Sequence, residues 1–152
     1  MIINFGKHRG KSVEWLVLKA PDYLKWILEQ SAPTGNLASV KAEALRLVLL
    51  FDGKQITKEC CGSNCRNTAI QFTAYVGNPS LIYAWCDTCD PYQLGATRWK
   101  LRFIKTYEEA LNYVKRDCDG RRSDYKEAIK EIAMAKGLPA RSSEAKMKEF
   151  FG

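Results

Sequence analysis

Cys60-Cys61-Gly62-Ser63-Asn64-Cys65 and Cys86-Asp87-Thr88-Cys89 are the two stretches that decide how this sequence is read. Two residues between Cys86 and Cys89 let a tight turn aim both sulfurs at one ion, and thiolate is the favoured ligand of a structural zinc site. The other half of a tetrahedron must come from the earlier group. Cys65 is one member, and its mate is Cys60 at four-residue spacing or Cys61 at three. Neighbouring cysteines rarely serve one ion, so one of the two is a spectator. Cys60, Cys61, Cys65, Cys86 and Cys89 therefore supply four ligands for one Zn2+, and four cysteines leave no open position for water, which makes the expected metal structural. Cys118, the sixth cysteine, stands alone as a free thiol.

The segment between the two groups changes period. Residues 68–76 and 81–85 are rich in β-formers and flank Gly77-Asn78-Pro79, so they predict a hairpin. Residues 96–104 alternate: Trp99, Leu101 and Phe103 on one face, Arg98, Lys100 and Arg102 on the other. Two cysteine knuckles with a hairpin between them form a zinc-ribbon arrangement. No βαβ pattern surrounds Cys86-x2-Cys89, which argues against a thioredoxin-like role.

The flanks read as helical. Ile2 to Phe5 predicts a short strand, Ser12 caps a turn that presents Val13, Leu16 and Val17, and Pro21 with Asp22 suits a helix start. Tyr23, Trp26 and Ile27 fall on one face of that helix, which marks them for the core. Another helix follows from about Leu37, with Val40, Ala44, Leu47, Val48 and Phe51 on its apolar face. After the cysteine segment, Thr106 and Glu109 make a capping box, Ser123 opens a further helix that Gly137 and Pro139 close, and 143–150 predicts a last short one. The fold class expected is α+β: a small N-terminal helical module (1–53), a zinc-stabilised antiparallel sheet (54–105) and C-terminal helices (106–152), free to pack as one unit.

The 152 residues carry a net charge of +7, with 46% hydrophobic and 27% charged side chains, the composition of a folded chain. Divided at the boundaries 1–52, 53–105 and 106–152, the net charges are +2, +4 and +1, so the excess sits in the cysteine-bearing middle. A polyanionic partner follows as an expectation. No apolar run approaches the roughly 18 residues of a membrane span. The start Met-Ile-Ile-Asn-Phe-Gly-Lys lacks the pattern of a secretory signal, which places the protein in a cytoplasm, a host's if it is viral. Clustered cysteines in a reducing compartment hold metal more often than disulfides.

Asn4-Phe5-Gly6-Lys7-His8-Arg9-Gly10-Lys11-Ser12 and Ala20-Pro21-Asp22-Tyr23-Leu24-Lys25-Trp26-Ile27-Leu28 resemble the small module at the C-terminus of exodeoxyribonuclease X, and similar modules occur in stand-alone phage and bacterial proteins. The resemblance covers about residues 4–28. It implies a nucleic-acid-associated accessory module rather than a nuclease, because the exonuclease's catalytic domain and its acidic set have no counterpart here. The run Cys-x4-Cys-Arg-Asn-x-Ala also resembles the first half-site of some small viral and bacterial zinc modules, a resemblance that favours Cys60 over Cys61 as the fourth ligand. Elementary physics agrees with a nucleic-acid role. Glycines let backbone amides approach a phosphate, and Lys7, Arg9 and Lys11 supply charge, with His8 close to the same backbone. Arg98, Lys100 and Arg102, extended by Arg66 and Lys105, form a second cationic surface, beside which Tyr75, Tyr83, Trp85 and Tyr92 are candidates for base stacking.

The expected function is thus non-enzymatic nucleic-acid binding, DNA before RNA. The alternative is an adaptor or inhibitor acting on a nucleic-acid-processing or host-defence complex. The sequence shows no nucleophile–base set, no Walker-type loop, no metal-binding carboxylate cluster and no small-molecule site.

Overall fold

Ser12 starts the first helix as its residue type predicts: its hydroxyl accepts the Trp15 N–H at 3.1 Å. Helix α1 (Val13–Lys19) buries Val13, Leu16, Val17 and Leu18. Pro21 opens α2 (Pro21–Leu28) one residue later. Helix α3 (Gly35–Gly53) buries Val40, Ala44, Leu47 and Phe51 at helical spacing and begins two residues ahead of the expected start. The computed structural model describes all residues, 1–152.

Two N-terminal expectations fail. Residues 2–5 form no strand; Ile2 makes only an isolated antiparallel bridge to Ser12. In α2, Pro21, Leu24 and Ile27 take the core side, while Tyr23 is half-buried and Trp26 is 45% exposed. Leu24 and Ile27 continue the line of Ala20, so the aliphatic stripe displaces the aromatic one to the flank.

The sheet contains β1 (Gln71–Tyr75), β2 (Asn78–Trp85) and β3 (Leu101–Ile104), antiparallel in the order β2-β1-β3. The hairpin turn is tighter than the sequence suggested. Only Val76 and Gly77 lie outside the strands, Gly77 at φ +80°, and Asn78 and Pro79 begin β2. Paired residues share a face. Phe72, Ala74, Ile82, Ala84 and Ile104 therefore look toward the helices, and all are buried. Thr73, Tyr75, Tyr83, Trp85, Leu101 and Phe103 make the opposite face.

The expected strand over 96–104 is half realised. Pro91–Leu94 form a short 3-10 turn, Lys100 N–H closes on the Thr97 carbonyl at 3.1 Å, and Trp99 sits at φ +70°. Extended pairing begins only at Leu101.

Beyond the sheet come α4 (Tyr107–Asp117), α5 (Arg122–Ala135) and α6 (Glu144–Phe151). Thr106 caps α4 by accepting the Glu109 N–H at 3.1 Å, and Ser143 caps α6. Helix α5 lies against β2 and against α1, α2 and α4. One cluster of 33 buried residues runs from Ile3 to Phe150 and draws on all three segments of the chain. A smaller cluster of Cys60, Trp85 and Cys86 sits apart from it. The helices, the antiparallel sheet and the cysteine group follow in the expected order, an α+β fold. No helix is long and apolar enough to cross a membrane.

Candidate metal centre and flanking surfaces

Cys60 and Cys65 lie in the loop before β1, and Cys86 and Cys89 follow directly on β2. An antiparallel bridge between Glu59 and Thr68 closes the loop, and Ile70 N–H reaches the Trp85 carbonyl at 2.9 Å, so the first cysteine group is brought alongside the end of β2. The sulfurs of Cys60, Cys65, Cys86 and Cys89 all lie within 4.8 Å of one another. Cys65 Sγ is 3.8 Å from Cys86 Sγ, far beyond a disulfide bond, and all six cysteines are free. Sulfurs about 2.3 Å from a tetrahedral ion stand about 3.8 Å apart. The four thiols fit a single metal ion.

The choice between Cys60 and Cys61 is decided by backbone direction. Cys61 uses its N–H to reach the Ala84 carbonyl at 2.9 Å, which turns its side chain away from the group. Cys60 Sγ faces inward and accepts N–H groups from Gly62 at 3.4 Å and Cys86 at 3.3 Å. Gly62 is indispensable here: a Cβ on it would lie 2.4 Å from Cys89 Sγ. Asn64, at φ +55°, turns the chain so that Cys65 faces back.

The thiols differ in acidity. The Thr88 hydroxyl, 3.3 Å from Cys86 Sγ, and then the Thr88 backbone N–H bring the Cys86 thiol down to about 5. Hydrogen bonding to Cys86, then to Cys65, holds the proton on Cys89 and pushes it up to about 12. A divalent ion lets all four thiols ionise. Cys118 lies outside the group, and burial raises its thiol.

The predicted cationic strand does not form. Arg98 belongs to the turn before β3, and Lys100 is exposed at its edge. Arg102 pairs with Ala74, so it points to the helix side, where its Nε lies 3.2 Å from Asp117 Oδ1. Its Nη1 donates to the Trp99 carbonyl at 2.8 Å. Arg102 thus pins the turn from the helix side of the strand, still partly exposed, and does not share one strand face with Arg98 and Lys100. Arg66 is exposed just after Cys65. Trp85, expected among the stacking aromatics, is 1% exposed, with its Nε1–H donating to Thr73 Oγ1 at 2.8 Å.

At the N-terminal loop the basic residues gather over rings. The His8 ring lies 4.8 Å from Tyr23 and 5.2 Å from Trp15, and Tyr23 lies 5.4 Å from Trp26. Lys7 Nζ stands 5.5 Å from the Tyr23 ring and Lys11 Nζ 5.1 Å from the Trp15 ring. Gly6, at φ +68°, permits this closeness, since a Cβ there would meet Tyr23 Oη at 2.5 Å. Lys7, Arg9 and Lys11 are exposed, and none is ion-paired. His8 differs from them: it is half-buried between the Trp15 and Tyr23 rings, and burial, then Lys7, lowers its pKa. Tyr23 and Trp15 pack half-buried against the main core, as the helical spacing of Tyr23 leads one to expect, whereas Trp26 lies outside it; the competing Ala20-Leu24-Ile27 stripe is the signal for that.

No protein-family model, curated protein or solved structure matches the chain. Fold and site together define an α+β protein with a four-cysteine candidate metal centre.

Proposed function

We propose that this chain is a non-enzymatic nucleic-acid-binding accessory protein, DNA before RNA, in which Cys60, Cys65, Cys86 and Cys89 hold one structural Zn2+. The observation that carries the binding role is the group of exposed, unpaired Lys7, Arg9 and Lys11, with Lys7 over the Tyr23 ring, Lys11 over the Trp15 ring and the exposed Trp26 beside Tyr23. Cations supply phosphate contact, and the exposed Trp26 with the half-buried Trp15 and Tyr23 offers ring surface on which bases stack. The resemblance of residues 4–28 to the exodeoxyribonuclease X module supports the same reading. An all-sulfur tetrahedron suits zinc or iron. Zinc is favoured because it needs no redox partner, and four thiolates close its coordination sphere, which suits a clamp and not a catalyst.

Fluorescence anisotropy with labelled duplex DNA across a salt series tests the binding role. Affinity should fall steeply with salt, and the double variant Lys7→Ala, Lys11→Ala should flatten the log–log slope by about 0.9 per lost phosphate contact. Absence of binding at low salt to duplex or single strand would sink the reading. Elemental analysis of purified protein should return one zinc per chain; iron would overturn the metal assignment. Leu45 and Leu49, exposed one turn apart on α3, favour the adaptor as second reading, a contact with a nucleic-acid-processing protein.

A further inference from the structure

The sheet face turned away from the helices is unlike an ordinary solvent face. Tyr83 of β2 and Phe103 of β3 both pair with Thr73 of β1, so the three stand in one row across the sheet. Strand spacing puts Tyr83 and Phe103 about 10 Å apart, and Tyr75 lies two residues along β1 from Thr73, about 7 Å away. Phe103 is 49% exposed, and Tyr75 and Tyr83 are half-buried. Between this face and the 91–97 segment is a groove of about 180 Å³ lined by Tyr75, Leu81, Tyr83 and Leu94. A cavity of about 150 Å³ accepts a benzene ring, so the groove has room for one flat ring.

Trp99 lies in the turn between Thr97 and Leu101, both of which line the groove. It is 79% exposed and holds φ +70°, two features that core packing does not reward. Arg102 and Asp117 nevertheless fix the turn that presents it. Arg98 and Lys100 flank it, exposed and free of carboxylate partners. The middle segment also carries the largest net positive charge in the chain, +4.

We infer that this face is a second nucleic-acid surface, specific for single strands, in which Tyr75, Tyr83, Phe103 and Trp99 stack unpaired bases and Arg98 and Lys100 neutralise the phosphates between them. The spacing favours a splayed strand, because neighbouring rings lie farther apart than stacked bases in a duplex, whose bases are in any case covered. It takes its ligand class from the nucleic-acid reading above but uses different residues, so the two can fail separately.

The test is anisotropy with labelled oligo(dT), oligo(U) and a duplex, on wild type, on Trp99→Ala with Phe103→Ala, and on Lys7→Ala with Lys11→Ala. Both ring positions are exposed, so the fold survives; near-ultraviolet circular dichroism confirms it. The ring variant should bind oligo(dT) about tenfold more weakly or worse and keep duplex affinity within twofold. Arg98→Ala should lower the single-strand salt slope by about 0.7. Equal loss of oligo(dT) and oligo(U) identifies the site with single strands of either sugar. Unchanged single-strand affinity in the ring variant overturns the inference while leaving the N-terminal surface standing. Unchanged affinity in the lysine variant, with loss in the ring variant, overturns the N-terminal assignment and leaves this one. Absence of single-strand binding by wild type overturns it outright.

Discussion

Gly62 has no side chain because Cys89 Sγ occupies the place where one would begin, 2.4 Å from an added Cβ. The obstacle is a ligand sulfur and not the flexible end of a surface chain, so the strain falls on the metal geometry. Gly62→Ala should lower zinc retention against a competing chelator by about tenfold or more, since small displacements in a site's support commonly cost 10–100-fold in metal affinity; retention equal to wild type would show the loop yields. Cys61→Ser should keep one metal per chain, whereas Cys60→Ser should lose it, as read by elemental analysis. Three of the four ligands were legible from spacing alone. The fourth was not, because spacings of three and four residues both allow a knuckle, and only the Cys61 N–H bond to the Ala84 carbonyl turns that side chain away.

At the scale of the element, two tryptophans near the sheet have opposite fates. Alternation of polar and apolar residues over 96–104 predicts one long strand, but alternation reports which side a residue would face, not whether the backbone is extended. The turn at Thr97–Lys100 and the left-handed Trp99 cut the strand at Leu101. With φ +70° and an exposed ring, Trp99→Gly removes backbone strain of about 1–2 kcal/mol against a glycine entropy cost of about 0.5–1 kcal/mol. Its melting temperature should stay level or rise slightly; a clear fall would mean the indole packs. Trp85→Phe should do the reverse. It breaks the Nε1–H bond to Thr73 in a buried setting, at about 1–3 kcal/mol, and the melting temperature should drop by several degrees. The helices were more legible than the strands, since Ser12, Thr106 and Ser143 announced their starts and Gly137 an end.

At the scale of the molecule, the three segments share one core, and a few polar contacts tie them together. Ser12 Oγ donates to Glu144 Oε2 at 2.8 Å, joining the start of the first helix to the last. Tyr107 is fully buried, stacks edge-on against Phe51 at 5.3 Å, and donates its hydroxyl to the Val17 carbonyl at 2.8 Å. That carbonyl is in the last turn of a short helix, where carbonyls lack intrahelical partners. Tyr107→Phe should therefore cost about 1–3 kcal/mol in denaturant unfolding without changing metal content. No such long-range partner can be read from local pattern, which is why sequence showed the segments but not the bonds between them.

The same architecture sets what metal removal should do. Small zinc modules unfold without their ion because the ion supplies most of their folding energy. Here the main core of 33 residues includes none of the four ligands, yet it contains Phe72 and Ala74 of β1 and Ile82 and Ala84 of β2. Both strands of the hairpin are thus anchored from the helix side whether or not the ion is bound. The ion instead holds the loop before β1 to the end of β2, where only Cys60, Trp85 and Cys86 are buried together. Chelation should leave helical circular dichroism nearly intact at room temperature, while hydrogen exchange accelerates over residues 59–70 and 86–95. The melting temperature should fall by on the order of 10 °C, the scale of a few kcal/mol in a domain of this size. Complete loss of helical signal on chelation would show that the metal holds the whole core, and unchanged exchange at the cysteine loops would show that it holds nothing.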